Sequence, residues 1–169
     1  MAKKPISTQL SRANIDTVMA LLAATAPALN AVSQRMTPDS QRQPWKAGER
    51  SFVEVVAHVL NCEERLTESI YAALLVHEPL VLDIHPERQW GALLRYETCD
   101  CSELLAYFSF RRKVLLRVLS GLSDAQWSRV ICETGKQRKE SVYWRARTMA
   151  LHEAEHVTEV EDWLKNMAL

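Results

Sequence analysis

Met149-Ala-Leu-His152-Glu-Ala-Glu-His156-Val-Thr-Glu-Val160 is the stretch on which the reading of the whole chain turns. Met149, Val160, Trp163 and Met167, with Val142 upstream, recur at spacings that place them on one face of a helix near the C-terminus. His152 and His156 fall on that same face. Four residues apart, their imidazoles lie one turn above each other and can close on a single ion. A single histidine on an apolar stripe reads as a hydrogen-bonded core residue. Two of them, both standing where apolar residues are expected, would cost a few kcal/mol if buried without partners. A metal offsets that cost and calls for a third ligand elsewhere in the chain.

His152-Glu-Ala-Glu-His156 also spells H-E-x-x-H, in which Glu153 would be the general base of a zinc protease. That chemistry needs strands beside the site to hold a peptide, and the sequence signals none, so the protease reading is set aside.

The rest of the chain agrees with an all-α fold. Its 169 residues fit one domain spanning 1–169, and at 47% hydrophobic it can bury a core without disulfides. Only four glycines and six prolines favour helices over a turn-rich β fold. Twenty-one basic and twenty-one acidic side chains balance, which argues against nucleic acid as a partner. Cys62, Cys99, Cys101 and Cys132 show no C-x-x-C spacing and read as reduced thiols. Residues 17–34 carry no formal charge, but Pro27, Asn30, Ser33 and Gln34 lower their apolarity below that of a membrane span. With no signal segment at the start, a cytoplasmic protein is expected.

Taken in order, a first helix is expected from Thr8 or Ser11 to Met36, kinked at Pro27, after a loose start over residues 1–7. A polar loop runs to Arg50. Ser51-Phe-Val-Glu54 is a capping box that opens a second helix reaching Val76. On that helix His58 sits at the border of the apolar stripe and Glu63 lies on it. Residues 77–100 form a long connection, helical or extended between Trp90 and Tyr96, which permits a crossover bundle. The third helix runs from a Ser102 cap to Leu119 or Ser120 and is stopped by Gly121, with Arg112 on its inward side and Arg111 flanking it. Ser123 to Trp127 is a short capped turn, Cys132 to Glu140 is polar, and Ser141 to Met167 is the fourth helix.

Ser51-Phe-Val-Glu-Val-Val-Ala-His58, His152-Glu-Ala-Glu-His156 and Leu122-Ser-Asp-Ala-Gln-Trp127, in this order and spacing, resemble the DinB-like (DinB/YfiT) superfamily of four-helix-bundle metalloproteins over nearly the whole chain. One departure is Arg50, where members of the family often carry Trp; the nearest here is Trp45. The resemblance implies a four-helix bundle with a long connection between its second and third helices. It also implies that His58, rather than His77 or His85, completes a three-histidine site with His152 and His156. Three neutral imidazoles leave positions open for water or substrate, as in catalytic zinc, although imidazole also suits nickel and iron.

The activity implied by the resemblance is that of a metal-dependent S-transferase using a low-molecular-weight thiol such as mycothiol, bacillithiol or glutathione, whose pKa the metal would lower. Two other readings stand beside it, a metal-dependent hydrolase and a non-catalytic metal-binding stress-response protein. Arg145, two turns before His152, is expected either to hold a carboxylate or phosphate of a cosubstrate or to lie solvated near the start of its helix. Glu153 is expected either to orient water or act as a base, or to lie exposed on its helix. Arg112 and Glu63 are expected to pair inside the core. Cys62, one turn from His58, is expected as a buried thiol near the site. Trp144 and Leu164, away from the inward stripe, offer a face for a homodimer.

Overall fold

The computed structural model describes residues 6–167, so the expectation for the first five residues lies outside the described ones. The chain runs α1 (Arg12–Ser33), α2 (Pro38–Arg42), α3 (Phe52–Leu75), β1 (Leu80–Val81), a π-helical segment (Pro86–Gly91), α4 (Ala92–Leu94), a 3-10 turn (Tyr96–Thr98), α5 (Cys101–Ser120), α6 (Asp124–Trp127), β2 (Val130–Glu133), β3 (Glu140–Ser141) and α7 (Val142–Met167). The four long helices α1, α3, α5 and α7 form a four-helix bundle. Each of α1 and α3 packs against both α5 and α7. Helices consecutive in sequence, α1 with α3 and α5 with α7, therefore sit across the bundle from one another, a crossover arrangement that the long connections make possible.

Local chemistry sets the helix boundaries. Ser51 accepts from the Glu54 amide while Glu54 Oε2 takes the Ser51 N–H at 2.7 Å, which fixes the start of α3. Ser11 caps α1, and α1 continues through Pro27. Asp100, rather than Ser102, caps α5, because its carboxylate accepts the Ser102 amide at 2.8 Å. Thr37 and Ser40 form a further capping box that turns part of the expected polar loop into α2. Among the described residues, α1 alone would pass for a membrane span by length and apolarity. Its stripe of Ile15, Val18, Leu22, Leu29 and Val32 is buried in the bundle.

The core is divided. One cluster gathers Val18, Leu22, Ile70, Leu115, Trp127, Tyr143 and Met149, among others. A second gathers Leu29, Phe52, Val56, Leu60, Phe108 and Val160. Each fully buried side chain of this size contributes about 1.5–3 kcal/mol. Between the clusters every long helix contributes a buried polar residue: Thr25, Glu63, Arg112 and Glu153. Arg112 donates to Glu153 Oε1 at 2.6 Å and to the Leu22 carbonyl at 3.2 Å. Glu63 instead takes Arg111 Nε at 2.8 Å and the Thr67 hydroxyl at 3.0 Å. The expected Glu63–Arg112 pair is thus replaced by two pairs. Arg112, on the inward side of α5, reaches across to α7, while the flanking Arg111 meets α3.

The connection after α3 is more ordered than its sequence suggests. Glu64 accepts from Trp90 Nε1 at 2.8 Å, Tyr96 at 2.8 Å and Tyr107 at 3.0 Å, and Arg65 donates to the Leu82 carbonyl at 2.7 Å. These bonds hold the π-helical segment flat on α3. β1 pairs in parallel with β2, and β2 antiparallel with β3. The sequence signalled no strands, since none of the three exceeds four residues. The small sheet abuts the C-terminal end of α3, where Arg129 donates to the Leu74 carbonyl. That end is about 25 Å along the helix from His58 at 1.5 Å per residue, so the strands give no support to a protease cleft at the histidines.

Leu164, expected on a surface for a second copy, is 7% exposed and belongs to the second core cluster. Trp144 lies under the Arg138 guanidinium at 4.5 Å. The proposed dimer face therefore loses one of its two anchors to the core.

Candidate metal centre

α3 and α7 pack side by side, and this brings His58 against His152 and His156. His58 Nε2 lies 3.0 Å from His152 Nε2, and His156 Nε2 lies 3.2 Å from His152 Nε2. The rings meet edge to face, with centroids 4.7–5.0 Å apart. One donor atom from each of the three lies within 4.8 Å of the others. On two of the three rings the other nitrogen is engaged by a carboxylate. His58 Nδ1 is 2.9 Å from Glu87 Oε1, and His156 Nδ1 is 2.9 Å from Glu159 Oε2. Glu87 is in turn bonded by Arg50. A carboxylate on Nδ1 holds the proton there and leaves Nε2 as a lone-pair donor. Lone pairs converging from three rings repel unless a cation lies among them, so this donor set fits a divalent metal.

Electrostatics act in the same direction. Burial lowers the His58 pKa to about 4, with Glu87 opposing the shift. Burial also lowers that of His152, followed in effect by neighbouring His156. His58 and His152 are therefore neutral near pH 7, the state that binds metal. Cys62 Sγ lies 3.9 Å from His58 Nε2. Burial pushes its thiol up to about 12, so it stays protonated.

The other candidates are placed elsewhere. Glu153 is 1% exposed and turned into the bundle against Arg112, not out to solvent. Burial pushes its carboxyl up, with Arg112 opposing. Arg145 donates to Glu133 and is ion-paired with Glu140, whose Oε2 lies 2.7 Å from its Nε, which ties α7 to β2 and β3. His85 caps the π-helical segment, its Nδ1 accepting from the amides of Glu87 and Arg88, and His77 is exposed.

Three participants escaped the sequence reading: Glu87, Arg50 and Glu159. Glu159 follows His156 by three residues on one helix and was legible as an i, i+3 pair. Glu87 and Arg50 come from connecting segments without periodicity. A polar cavity of about 290 Å³ opens beside His58, lined by Arg50, Glu54, Asn61, Glu87 and Glu97 among others. A larger, mainly apolar groove of about 890 Å³ lies between α1 and α7 and includes none of the three histidines.

Comparisons with known proteins bear on this arrangement. The Bacillus subtilis protein YfiT, a probable metal-dependent hydrolase with an unusual four-helix bundle topology, superposes with a TM-score of 0.83 at 18% identity, over 98% of this chain and 94% of that one. A DinB-like protein of Bacillus subtilis, YjoA, superposes with a TM-score of 0.63 at 14% identity, over 90% of this chain and 92% of that one. At these identities the likeness is one of fold. No curated protein matches the sequence. Residues 21–160, which carry all three histidines, match the family model of the DinB superfamily, and the chain belongs to that superfamily.

Proposed function

We propose that this protein is a divalent-metal-dependent enzyme acting on a small molecule, with His58, His152 and His156 as its metal ligands. The observation that carries the proposal is the convergence of three Nε2 atoms on one point while carboxylates occupy Nδ1 of His58 and His156. A divalent ion held there would supply Lewis acidity and lower the pKa of a water or thiol that reaches it. Zinc and nickel both suit the donors.

The chain's own residues have distinct tasks. Glu87 and Glu159 keep the imidazoles of His58 and His156 in the tautomer that donates from Nε2, and Arg50 keeps Glu87 in place. The cavity beside His58 admits the substrate. No nucleophile is offered by Cys62, whose thiol remains protonated, so the attacking group enters from solution. Glu153 and Arg145, engaged by Arg112 and by Glu133 and Glu140, act as framework residues in this reading rather than as catalytic ones.

Hydrolysis, with water as the attacking group, is the first reading, supported by the fold shared with YfiT. Thiol S-transfer is the second, supported by the openness of a three-imidazole site to a thiol. Elemental analysis of protein purified without added metal, repeated on His156→Ala, tests the metal. Stoichiometric zinc or nickel in the parent and its loss in the variant are expected; a metal-free parent that takes up no divalent ion at micromolar concentration overturns the proposal. Metal-loaded protein is then assayed on small esters and amides without thiol, and titrated with glutathione. Turnover without thiol favours the hydrolase, and thiol binding that disappears in His156→Ala favours the transferase.

A further inference from the structure

The groove between α1 and α7 is not used by the proposed chemistry, yet it is the larger of the two spaces. At about 890 Å³ it falls within the range of small-molecule sites, which are apolar with a few polar groups that fix orientation. Its apolar lining comes from Ile6, Ala20, Leu21, Leu151 and Ala154. The α7 wall is a continuous stripe, Leu151, Glu155, Thr158 and Asp162, at i, i+4, i+7 and i+11. At 1.5 Å per residue that stripe is about 16 Å long. Its start is apolar and the rest is flanked by carboxylates.

The polar groups of the groove share one character. Thr17 Oγ1 donates to the Ala13 carbonyl at 2.8 Å, and Thr158 Oγ1 donates to the Ala154 carbonyl at 2.8 Å. With their hydrogens committed to their own helices, both hydroxyl oxygens can only accept. Glu155, Glu159 and Asp162 are acceptors too when ionised. Among the described residues, no Lys, Arg or His lines the groove. Asp162 is met by the exposed Lys165 at 2.8 Å, and Glu159 gives Oε2 to His156. Glu155 adds a further negative charge on the exposed side of α7. The groove therefore offers apolar surface, acceptors and an excess of negative charge, but no donor of its own. A second copy seated groove to groove would set these like charges against one another, which the lining gives no means to answer.

We infer that this groove binds an amphiphilic monocation, an aliphatic amine whose chain lies over Leu21, Leu151 and Ala154 and whose ammonium group donates towards Glu155 and Asp162. The site is separate from the three histidines, and the inference does not depend on a metal being held there.

Calorimetric titration of the full chain, metal-free and zinc-loaded, with decylamine, decanol and decanoate below their aggregation concentrations tests this. The three probes share a chain and differ in the head group. The whole chain is balanced at 21 basic and 21 acidic side chains, so a preference for the cation reports the groove rather than the net charge. Decylamine is expected to bind most tightly in both forms, and decanoate at least tenfold more weakly. Each methylene removed from the amine should cost about fourfold. Ala20→Trp, which puts an indole into the groove from an exposed position, should abolish amine binding and leave zinc uptake unchanged. Glu155→Gln combined with Asp162→Asn, both exposed, should weaken decylamine about three- to tenfold and leave decanol unaffected. Decanoate binding as tightly as decylamine, or decylamine binding unchanged in both variants, overturns the assignment. A chain that sediments as a dimer and becomes monomeric in Ala20→Trp holds its own second copy in the groove, which overturns it as well. Amine binding without zinc uptake refutes the metal reading alone, and zinc uptake without amine binding refutes this inference alone.

Discussion

Two polar groups lie next to each other on α7 and meet opposite fates. Glu153 turns inward to Arg112 and is sealed between the two apolar clusters, its charge answered by the protein itself. His152, one residue earlier, turns towards α3 and meets only other imidazole nitrogens. In the first arrangement carboxylate and guanidinium answer each other, although Arg112 Nε and Glu153 Oε2 keep no hydrogen-bond partner among the described residues; in the second, three like donors face one another, an arrangement that a cation would satisfy. A buried polar group thus signals function when its neighbours are donors or acceptors of the same kind, and framework when they are complementary.

The contrast can be broken from either side. The largest effect is expected at the sealed pair. Glu153→Ala leaves a guanidinium buried without its carboxylate and should lower stability by about 3–5 kcal/mol, measured by chemical denaturation of the metal-free protein. Replacing both Arg112 and Glu153 by leucine should recover most of that loss. If Glu153→Ala is neutral, the pair is not framework. At the open site the order of effects reverses. Glu87→Ala should leave metal-free stability nearly unchanged but weaken metal binding about 10–100-fold by releasing the His58 ring, measured by competition with a chromogenic chelator.

The gentlest test is a slope. His58 is depressed from 6.5 to about 4 in the folded protein. Between those values the unfolded chain binds the extra proton, so metal-free stability should fall as pH drops from about 6.5 to about 4 and stay level above. Protons compete for the same nitrogens, so bound metal should be released over the same window. A melting midpoint of the metal-free protein that stays flat from pH 7 to 4 would contradict the burial of His58.

How far these features were legible follows from where they sit. The four long helices, the Ser51 capping box and the inward histidines of α7 could be read because periodicity and caps are local. The partner of Arg112 could not. Arg111 and Arg112 differ by about 100° around α5, and which of them meets Glu63 depends on how the helices are rotated against each other. Glu87 was missed for a different reason. A π-helical segment in the connection between α3 and α5 has no sequence period. The cavity is walled by α3 on one side and by residues of the connecting segments on the other.

The placement of α7 has a consequence for how the protein comes into being. It is the last helix in sequence, yet it packs on both α1 and α3. Chains emerge from the ribosome N-terminus first, so the three earlier helices present an uncovered apolar trough until their final neighbour arrives. His152 and His156 travel with that neighbour. If the three histidines hold an ion as proposed, it can be taken up only once α7 has docked, and a nascent chain stalled before residue 152 would carry His58 without His152 and His156.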